Sequence, residues 1–595
     1  MCGIIGYLGN KVKVSESIIK GLKVLEYRGY DSSGVSYLLD NELVINKSVG
    51  KIKELENKYE FNCLSKLAIG HTRWATHGGV NELNTHPHVS NSKRITLVHN
   101  GVINNYLEIK EELVELGYSF YSDTDTEVLA NLIDNLLKKD NMLIVLNKIK
   151  EILKGSYALV IIDNKEKDKL YFIKNLTPLL VGKGEDFNIL ISDANAGTLY
   201  TNEFISLEDH QYGYITQKDI YVYEDNIPIK PKSFINKVKQ EDINLGGFPH
   251  YMVKEIYEQP SILGKICNTY IDQDNKLINI DNKVLQHFKD SQKIYIVACG
   301  TSYHAGLIGK YLIEKELHKS VDVIIASEFD YENMYIEDNS YFIFISQSGE
   351  TYDVKVVLNQ IKNKYHNLLL TNVSSSSLSR ECEAYIDILA GPEIAVASTK
   401  AYSAQVAILV LLVYALKDKL EQYKKEIIEV CASIQETLIR SHHILAIVKD
   451  NLINQEHCFY IGKGIGYLIA QEASLKLKEI SYIHSEAFAA GELKHGTIAL
   501  IDKDVPVIGI ISDKKTSQNI RSNLEEVNSR KAKIITISLS SLSHNDDDFV
   551  ISEVSDNLKA LAFIPVFQLM AYYAALLRYK DIDKPRNLAK SVTVE

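Results

Sequence analysis

From about residue 290 onward the sequence repeats one pattern: a short apolar run, a loop of Gly, Ser and Thr, then an amphipathic stretch. Ile294–Ala298 leads into Cys299-Gly300-Thr301-Ser302, and Tyr341–Ile345 leads into Ser346-Gln347-Ser348-Gly349-Glu350-Thr351. Further on, Cys458–Ile461 opens the same pattern again through Gly462-Lys463-Gly464, and Val505–Ile511 and Lys533–Ser538 add two more apolar runs. Strands of continuous apolar residues alternating with helices belong in parallel sheets covered on both faces, with ligands at the carboxyl ends of the strands. The recurrence predicts two α/β lobes related by internal duplication.

The first 240 or so residues have a different texture. Short strand-like runs (Ile95–His99, Ala158–Asp163, Asn188–Ser192) are broken by Gly, Asn and Asp, and two helical patterns interrupt them, near Ser15–Tyr27 and Thr126–Leu137. Clustered strands and helices predict a layered α+β domain. A polar stretch over about 225–248, ending in Gly246-Gly247, is the expected linker. The organisation expected is a domain over 1–240, a linker and leading helix over 241–285, α/β lobes over 286–425 and 450–575, and a tail over 576–595. Length alone, at roughly 150 residues per domain, would suggest about four units; the motifs make three.

Composition excludes several classes. With 46% hydrophobic and 24% charged residues and only 10 Pro, neither disorder nor a collagen-like repeat is possible. A net charge of −11 gives no basic face for nucleic acid. The longest apolar run, Ala407–Leu416, suits a buried helix, and no stretch is expected to reach the roughly 18 apolar residues of a membrane span. Gly3 and Gly6 break the N-terminus, which has no basic region resembling a signal peptide. Seven scattered Cys make no disulfide framework, so a cytoplasmic location is expected.

Chemistry begins at Cys2. Removal of Met1 places a free α-amine, of pKa about 7.7–8.0, beside the thiol, where it can act as the base for its own side chain. His71-Thr72-Arg73-Trp74-Ala75-Thr76-His77-Gly78 sets the chain's single Trp beside a fixed cation. Asn100-Gly101, after the Ile95–His99 run, offers an amide and a backbone N–H to a developing oxyanion. Asp125 stands where a helix begins and is expected as its N-cap. A thiol, an oxyanion hole, an Arg for a carboxylate and an Asp for an ammonium suit an amino acid whose side-chain amide is cleaved, which is glutamine. His86-Pro87-His88 near His71 and His77 lacks the Cys or acidic ligand of a familiar spacing, so no metal is expected.

In the second half, the hydroxyls, amide and exposed N–H groups of Ser346–Thr351 suit phosphate at a helix N-terminus, and Cys299–Ser302 repeats the arrangement one strand earlier. Gly462-Lys463-Gly464-Ile465-Gly466 has the wrong spacing for a dinucleotide loop. Glu472, Lys476 and Glu479 fall on one helical face. Such a row is usually a surface ion-pair ladder. Here Ala473, Leu475, Leu477 and Ile480 surround it, and His495, able to move protons near neutrality, follows.

These motifs carry a resemblance. Cys2-Gly3-Ile4-Ile5-Gly6, Tyr27-Arg28-Gly29-Tyr30-Asp31-Ser32, the His71–Gly78 run and Asn100-Gly101 are similar to class II glutamine amidotransferases, which have the N-terminal-nucleophile (Ntn) fold of four α+β layers. The second half resembles a pair of sugar-isomerase (SIS) domains. Four stretches narrow it to the glutamine–fructose-6-phosphate aminotransferase family: His250-Tyr251-Met252 with Lys254–Pro260, Ala397–Ala401, Lys476–Gly496, and Leu588–Glu595. The similarity spans essentially the whole chain.

The resemblance implies Cys2 as nucleophile and base, Asn100 and Gly101 as oxyanion hole, and Arg73, Thr76, His77 and Asp125 as glutamine holders. It implies Trp74 as gate of an ammonia passage lined by the C-terminal tail. Sugar phosphate is implied at Cys299, Gly300, Thr301, Ser302, Ser346, Gln347, Ser348, Thr351, Ala397, Ser398 and Glu479. His495 is assigned to ring opening, Lys590 to a Schiff base at C2, Glu479 to the C1–C2 proton shuttle and Lys476 to stabilising developing charge. No cofactor is implied; L-glutamine and D-fructose 6-phosphate are the expected substrates and a homodimer the expected assembly. Thr497 stands where the family commonly has Pro, and the 462–471 loop is also atypical, with packing or loop stiffness the expected consequence. An amidotransferase for a phosphoribosyl or aspartyl acceptor would need a pyrophosphate or ATP site after residue 250, and no P-loop occurs there. A non-catalytic sugar-phosphate sensor would have no use for Cys2, Glu479 or Lys590.

Overall fold

The computed structural model describes residues 2–236, 244–272, 274 and 278–593. Met1, parts of the expected linker and the final Val594-Glu595 lie outside the described residues. The chain divides into two compact units, one from the described parts of Met1–Ile243, Glu350–Tyr352 and Ser591–Glu595, the other from Asn244–Gly349 and Asp353–Lys590.

In the first unit two antiparallel sheets, of eight and seven strands, lie face to face between helical layers. Alternation along the first strand, Gly3–Lys13, shows why. Ile4 points into the layer between the sheets, with Val98, Val160 and Phe172. Its neighbour Ile5 points to the opposite face, against Ile18, Ile19 and Leu22 of the Ser15–Leu25 helical segment. The other sheet buries Leu97, Leu159 and Ile161 under the helices Tyr106–Glu115, Asp125–Leu136 and Met142–Ile152. This is the four-layer Ntn architecture. Ile52–Lys58, Tyr106–Glu115 and Met142–Ile152 are helices beyond the two expected. The polar 225–248 segment is not linker throughout, because Ile227–Ile229 and Ser233–Ile235 pair as sheet strands.

The second unit holds two five-stranded parallel sheets. In chain order the first sheet's strands are Lys293–Ala298, Ser320–Ile325, Ser340–Ile345, His366–Thr371 and Ala384–Asp387, arranged 2-1-3-4-5. The second sheet, from His457–Gly462 to Phe549–Ile551, has the same order. Duplication is therefore visible in topology as well as in spacing. In this order the first and third strands flank the point where the chain reverses direction across the sheet, and the loops leaving their carboxyl ends form a crevice. Ala298 and Ile345 pair in register, so Cys299–Ser302 and Ser346–Gly349 emerge side by side.

Two apolar helices fill the core between the sheets. Lys400–Leu416 confirms the buried helix expected at Ala407–Leu416. Lys559–Leu577 corrects the expectation that no stretch reaches membrane-span length: it has 19 residues and a mean hydropathy of 1.8. Most of this helix is buried inside the protein. Its Gln568 accepts from Gln259 at 2.7 Å and donates to the Thr399 carbonyl at 3.3 Å, as a core helix of a large domain would.

Candidate active sites

Cys2 lies at the head of the strand Gly3–Lys13, which runs between Phe187–Ile191 and Leu64–Arg73. A Cβ on Gly3 would come within 2.7 Å of Thr72 Oγ1, so the strand can start there only without a side chain. The Cys2 Sγ accepts the Trp74 N–H at 3.2 Å and lies 3.4 Å from the Trp74 carbonyl. Burial pushes the thiol pKa up. The Trp74 indole meets Tyr30 edge-on, with ring centres 6.2 Å apart.

Asn100 Nδ2 donates to the Cys2 carbonyl at 3.0 Å. His71 Nε2 sits 3.1 Å from Asn100 Oδ1 and 2.9 Å from the His99 carbonyl, so it carries the proton and fixes the amide's orientation. Asn100 and Gly101 do not follow the strand as expected; they lie within it, because Ile95–Ile103 pairs with Gly155–Asp163 along its whole length. Gly101 has φ +138°, and a Cβ there would stand 2.0 Å from the Ser156 carbonyl.

Arg73 donates to the carbonyls of His77, Gly78 and Gly79 at 2.5, 3.0 and 3.2 Å. Asp125 is not the N-cap. Thr124 caps the helix by accepting from Glu127 N–H at 3.3 Å, since its extended backbone turns the hydroxyl toward the helix start. Asp125 is the first helical residue, and its carboxylate accepts the Ile103 N–H at 3.0 Å. Cys2, Arg73, Trp74, Thr76, His77, Gly101 and Asp125 line one cavity of about 10 Å³. That is roughly the space one water needs. The Arg73 guanidinium is thus held by the 77–79 backbone at the edge of this cavity. Thr76 is exposed, and the His77 ring packs against Tyr106.

Beneath this site the imidazoles form a buried network. His71 and His86 stack at 4.0 Å, His86 and His99 both reach Thr126 Oγ1, and His88 reaches Thr124 Oγ1 at 3.1 Å. Burial lowers all four pKa values, that of His71 to about 3. Each therefore takes a proton more readily when unfolded than when folded. The stability this gives is fully present above the ordinary imidazole value of about 6.5 and is lost as pH falls below it, by about 1.4 kcal/mol per histidine per pH unit. Urea unfolding followed by the fluorescence of Trp74, the only Trp, should be flat from pH 8 to 7 and weaken steeply from 6.5 to 5. A flat profile across that range would contradict the neutral network.

In the second unit the loop after Ser340–Ile345 turns through Gly349, φ +63°, where a Cβ would lie 2.0 Å from Ser376 Oγ. The Gly349 N–H reaches Ser346 Oγ at 3.1 Å, and Thr351 ends the loop just before the helix Tyr352–Ile361. Across the crevice Cys299 precedes the helix Gly300–Leu317, whose first turn holds Thr301 and Ser302. Thr301 Oγ1 donates to Glu472 at 3.2 Å, and Ser302 Oγ accepts from Gln405 at 3.0 Å. The row expected on Ile465–Ser481 is not a surface ladder: Glu472 and Lys476 are buried and Glu479 half-buried, and Lys476 pairs with Glu472 at 3.5 Å and with Glu479 at 2.6 Å. Burial opposes the Lys476 charge, yet the two carboxylates hold its pKa above the usual lysine value. His304 adds a 2.7 Å contact to Glu472.

The Lys590 side chain is 5% exposed, its Nζ 2.5 Å from Glu393 and 2.8 Å from the Ala395 carbonyl. Glu393 also accepts from Ser398 Oγ and from the N–H groups of Thr399 and Ala401. Burial alone would raise its pKa; Lys590 and these donors bring it below the ordinary carboxylate range. Ala397 is buried beside this cluster in the chain. His495 is not drawn in: it stands exposed on the turn Glu492–His495, with no described hydrogen bond to Lys476, Glu479 or Lys590. Sequence reasoning missed Glu393. Its only sequence signal is an acid between Gly391-Pro392 and the Ala397–Ala401 stretch. It also missed Asp193, whose carboxylate is 2.6 Å from Arg28 and anchors the Tyr27–Ser32 motif.

An Ntn amidohydrolase half followed by a duplicated SIS half defines a glutamine amidotransferase coupled to a sugar-isomerase module. The glutamine amidotransferase domain model matches residues 71–196, and the SIS domain model matches 287–415 and 451–578. The glutamine–fructose-6-phosphate aminotransferase (isomerizing) of Bacillus licheniformis is 44% identical over 605 residues, covering 100% of both chains, and that of Bacillus subtilis is 43% identical with the same coverage. The solved C-terminal domain of glucosamine-fructose-6-phosphate aminotransferase from Francisella tularensis is 35% identical, with a TM-score of 0.54 over 57% of this chain and 99% of that one. The chain belongs to the glutamine–fructose-6-phosphate aminotransferase (isomerizing) family.

Proposed function

We propose that the protein makes glucosamine 6-phosphate and glutamate from fructose 6-phosphate and glutamine, the entry step to the amino-sugar pathway. The observation that carries this reading is the coexistence, in one chain, of a half-buried thiol at the head of an N-terminal strand, a lysine side chain buried against Glu393, and two Ser/Thr-bearing loops that leave adjacent parallel strands at a topological switch point. Arg73 receives the glutamine carboxylate in place of the 77–79 carbonyls, with Thr76, His77 and Asp125 completing recognition. Cys2 attacks the amide with its own α-amine as base, and Asn100 and the Gly101 N–H take the oxyanion. Water then hydrolyses the glutamyl thioester. Ammonia in bulk water would be protonated and lost, so it travels internally, with Trp74 as the gate.

The sugar phosphate lies against Ser346, Gln347, Ser348 and Thr351, with Cys299, Gly300, Thr301, Ser302, Ala397 and Ser398 around it. After ring opening by His495, Lys590 condenses with the C2 carbonyl, releasing water. Ammonia displaces the lysine, and Glu479 carries a proton between C1 and C2 while cationic Lys476 stabilises the intervening charge. The exposed position of His495 favours a homodimer in which a second copy helps complete the sugar site. Seven unpaired cysteines suit a reducing cytoplasm.

The test is product formation by purified protein given glutamine and fructose 6-phosphate without metal or nucleotide; absence of amino sugar would sink the reading. Gly101→Ala should lower glutamate release by about 10²–10³-fold, because its Cβ displaces the oxyanion donor. Turnover within a few-fold of wild type would remove Gly101 from the oxyanion hole.

A further inference from the structure

The stretch Lys254–Pro260 carries no assigned role, yet one face of its helix, Tyr251–Tyr270, is polar and buried. Glu255 is 1% exposed. Its Oε1 accepts two backbone N–H groups, from Ile394 at 2.5 Å and Ala395 at 3.1 Å. The segment so held supplies both oxygens that meet the Lys590 ammonium, the Glu393 carboxylate and the Ala395 carbonyl. One turn further along the helix, Glu258 pairs with Lys400 at 2.7 Å and Gln259 accepts from Ser403. Asp583 fastens the same segment from its other end, accepting the Tyr251 and Met252 N–H groups while its carbonyl takes the Val396 N–H at 2.9 Å.

Building on the proposed Schiff-base role of Lys590, we infer that Glu255 is the positioning residue for that lysine, aiming its Nζ by clamping the Glu393–Ala395 backbone from a helix that has no assigned catalytic residue. Two adjacent N–H groups converging on one buried carboxyl oxygen fix the peptide planes of Ile394 and Ala395, and with them the Ala395 carbonyl. Nothing in this task requires a negative charge. Burial, with Glu393 close by, keeps the Glu255 carboxyl above the ordinary carboxylate range, and its Oε2 is buried without a hydrogen-bond partner. A neutral group with one well-placed acceptor therefore suffices, and glutamine provides it.

The test compares Glu255→Ala with Glu255→Gln in the full-length protein. Readouts are synthase kinetics and borohydride trapping of fructose 6-phosphate on Lys590, mapped by peptide mass. Glu255→Ala should lower kcat by about 10²-fold, the cost of misplacing a reacting group by about 1 Å. Its fructose 6-phosphate KM should change far less than kcat, because the Ser346–Thr351 and Thr301–Ser302 loops lie on other strands, and glutaminase should be unchanged. Glu255→Gln should restore kcat to within about threefold of wild type and restore trapping. Folding is checked by urea unfolding of both variants. If Glu255→Ala lowers stability but keeps wild-type kcat and trapping, Glu255 is structural only and the inference fails. If Glu255→Gln is as impaired as Glu255→Ala, charge and not acceptor geometry matters, and the inference also fails. Failure of wild-type protein to trap sugar on Lys590 would instead overturn the Schiff-base reading on which it rests.

Discussion

Cys2→Ala should abolish glutamine hydrolysis, by at least about 10⁴-fold, and glutamine-dependent synthesis with it. The thiol has no substitute: its α-amine can serve as base only for a nucleophile on the same residue. The fold should tolerate the change. The side chain accepts one backbone hydrogen bond, from Trp74, worth about 1 kcal/mol. Trapping of fructose 6-phosphate on Lys590 should persist, since the buried amine and its partners belong to the second unit. Glutamate release within tenfold of wild type would place the nucleophile elsewhere.

Lys590→Met should remove synthesis by a comparable factor while leaving glutaminase intact. It carries a second, thermodynamic signature. Glu393 is fully buried and depends on Lys590 for its countercharge. Stranding a buried carboxylate costs about 3–5 kcal/mol. Lys590→Met should therefore lower the unfolding free energy of the second unit by about that amount, and Glu393→Gln in the same chain should recover most of it. Lys590→Arg separates the two effects: it keeps a cation beside Glu393 and so much of the stability, but cannot form the Schiff base. Product assays with urea titrations on the three variants measure both. Synthesis by Lys590→Met above a hundredth of wild type would exclude covalent capture by this residue.

The architecture of the second half was legible because strands buried on both faces leave continuous apolar runs, and their loops leave Gly and Ser at the carboxyl ends. The Ntn half was read mainly through motifs. Its helix Tyr106–Glu115 went unpredicted because only Ile109 and Leu113 are buried, too few to show against its exposed acids. Lys559–Leu577 was underestimated because Pro565 and Gln568 interrupt its apolar character, and only the tertiary structure shows Gln568 paired with Gln259. Cys2, Asn100, Glu479 and Lys590 could be singled out because they sit in dense local motifs. Glu393 and Glu255 could not. Glu393 meets a lysine 197 positions away and Glu255 meets backbone 139 positions away, and neither spacing leaves a periodic trace. Asp125 shows the opposite limit: position alone suggested a cap, and only the backbone conformation of Thr124 reveals which residue caps.

On the proposed function, the amide nitrogen cut from glutamine at Cys2 becomes the amine of the sugar made at Lys590, without passing through solvent. Purified protein supplied with ¹⁵N-amide glutamine, fructose 6-phosphate and an excess of unlabelled ammonium tests it in one mass spectrum. Glucosamine 6-phosphate carrying ¹⁵N in nearly every molecule is the predicted result. Amino sugar whose label is diluted to the bulk ammonium ratio, or glutamate released with no amino sugar at all, would contradict it.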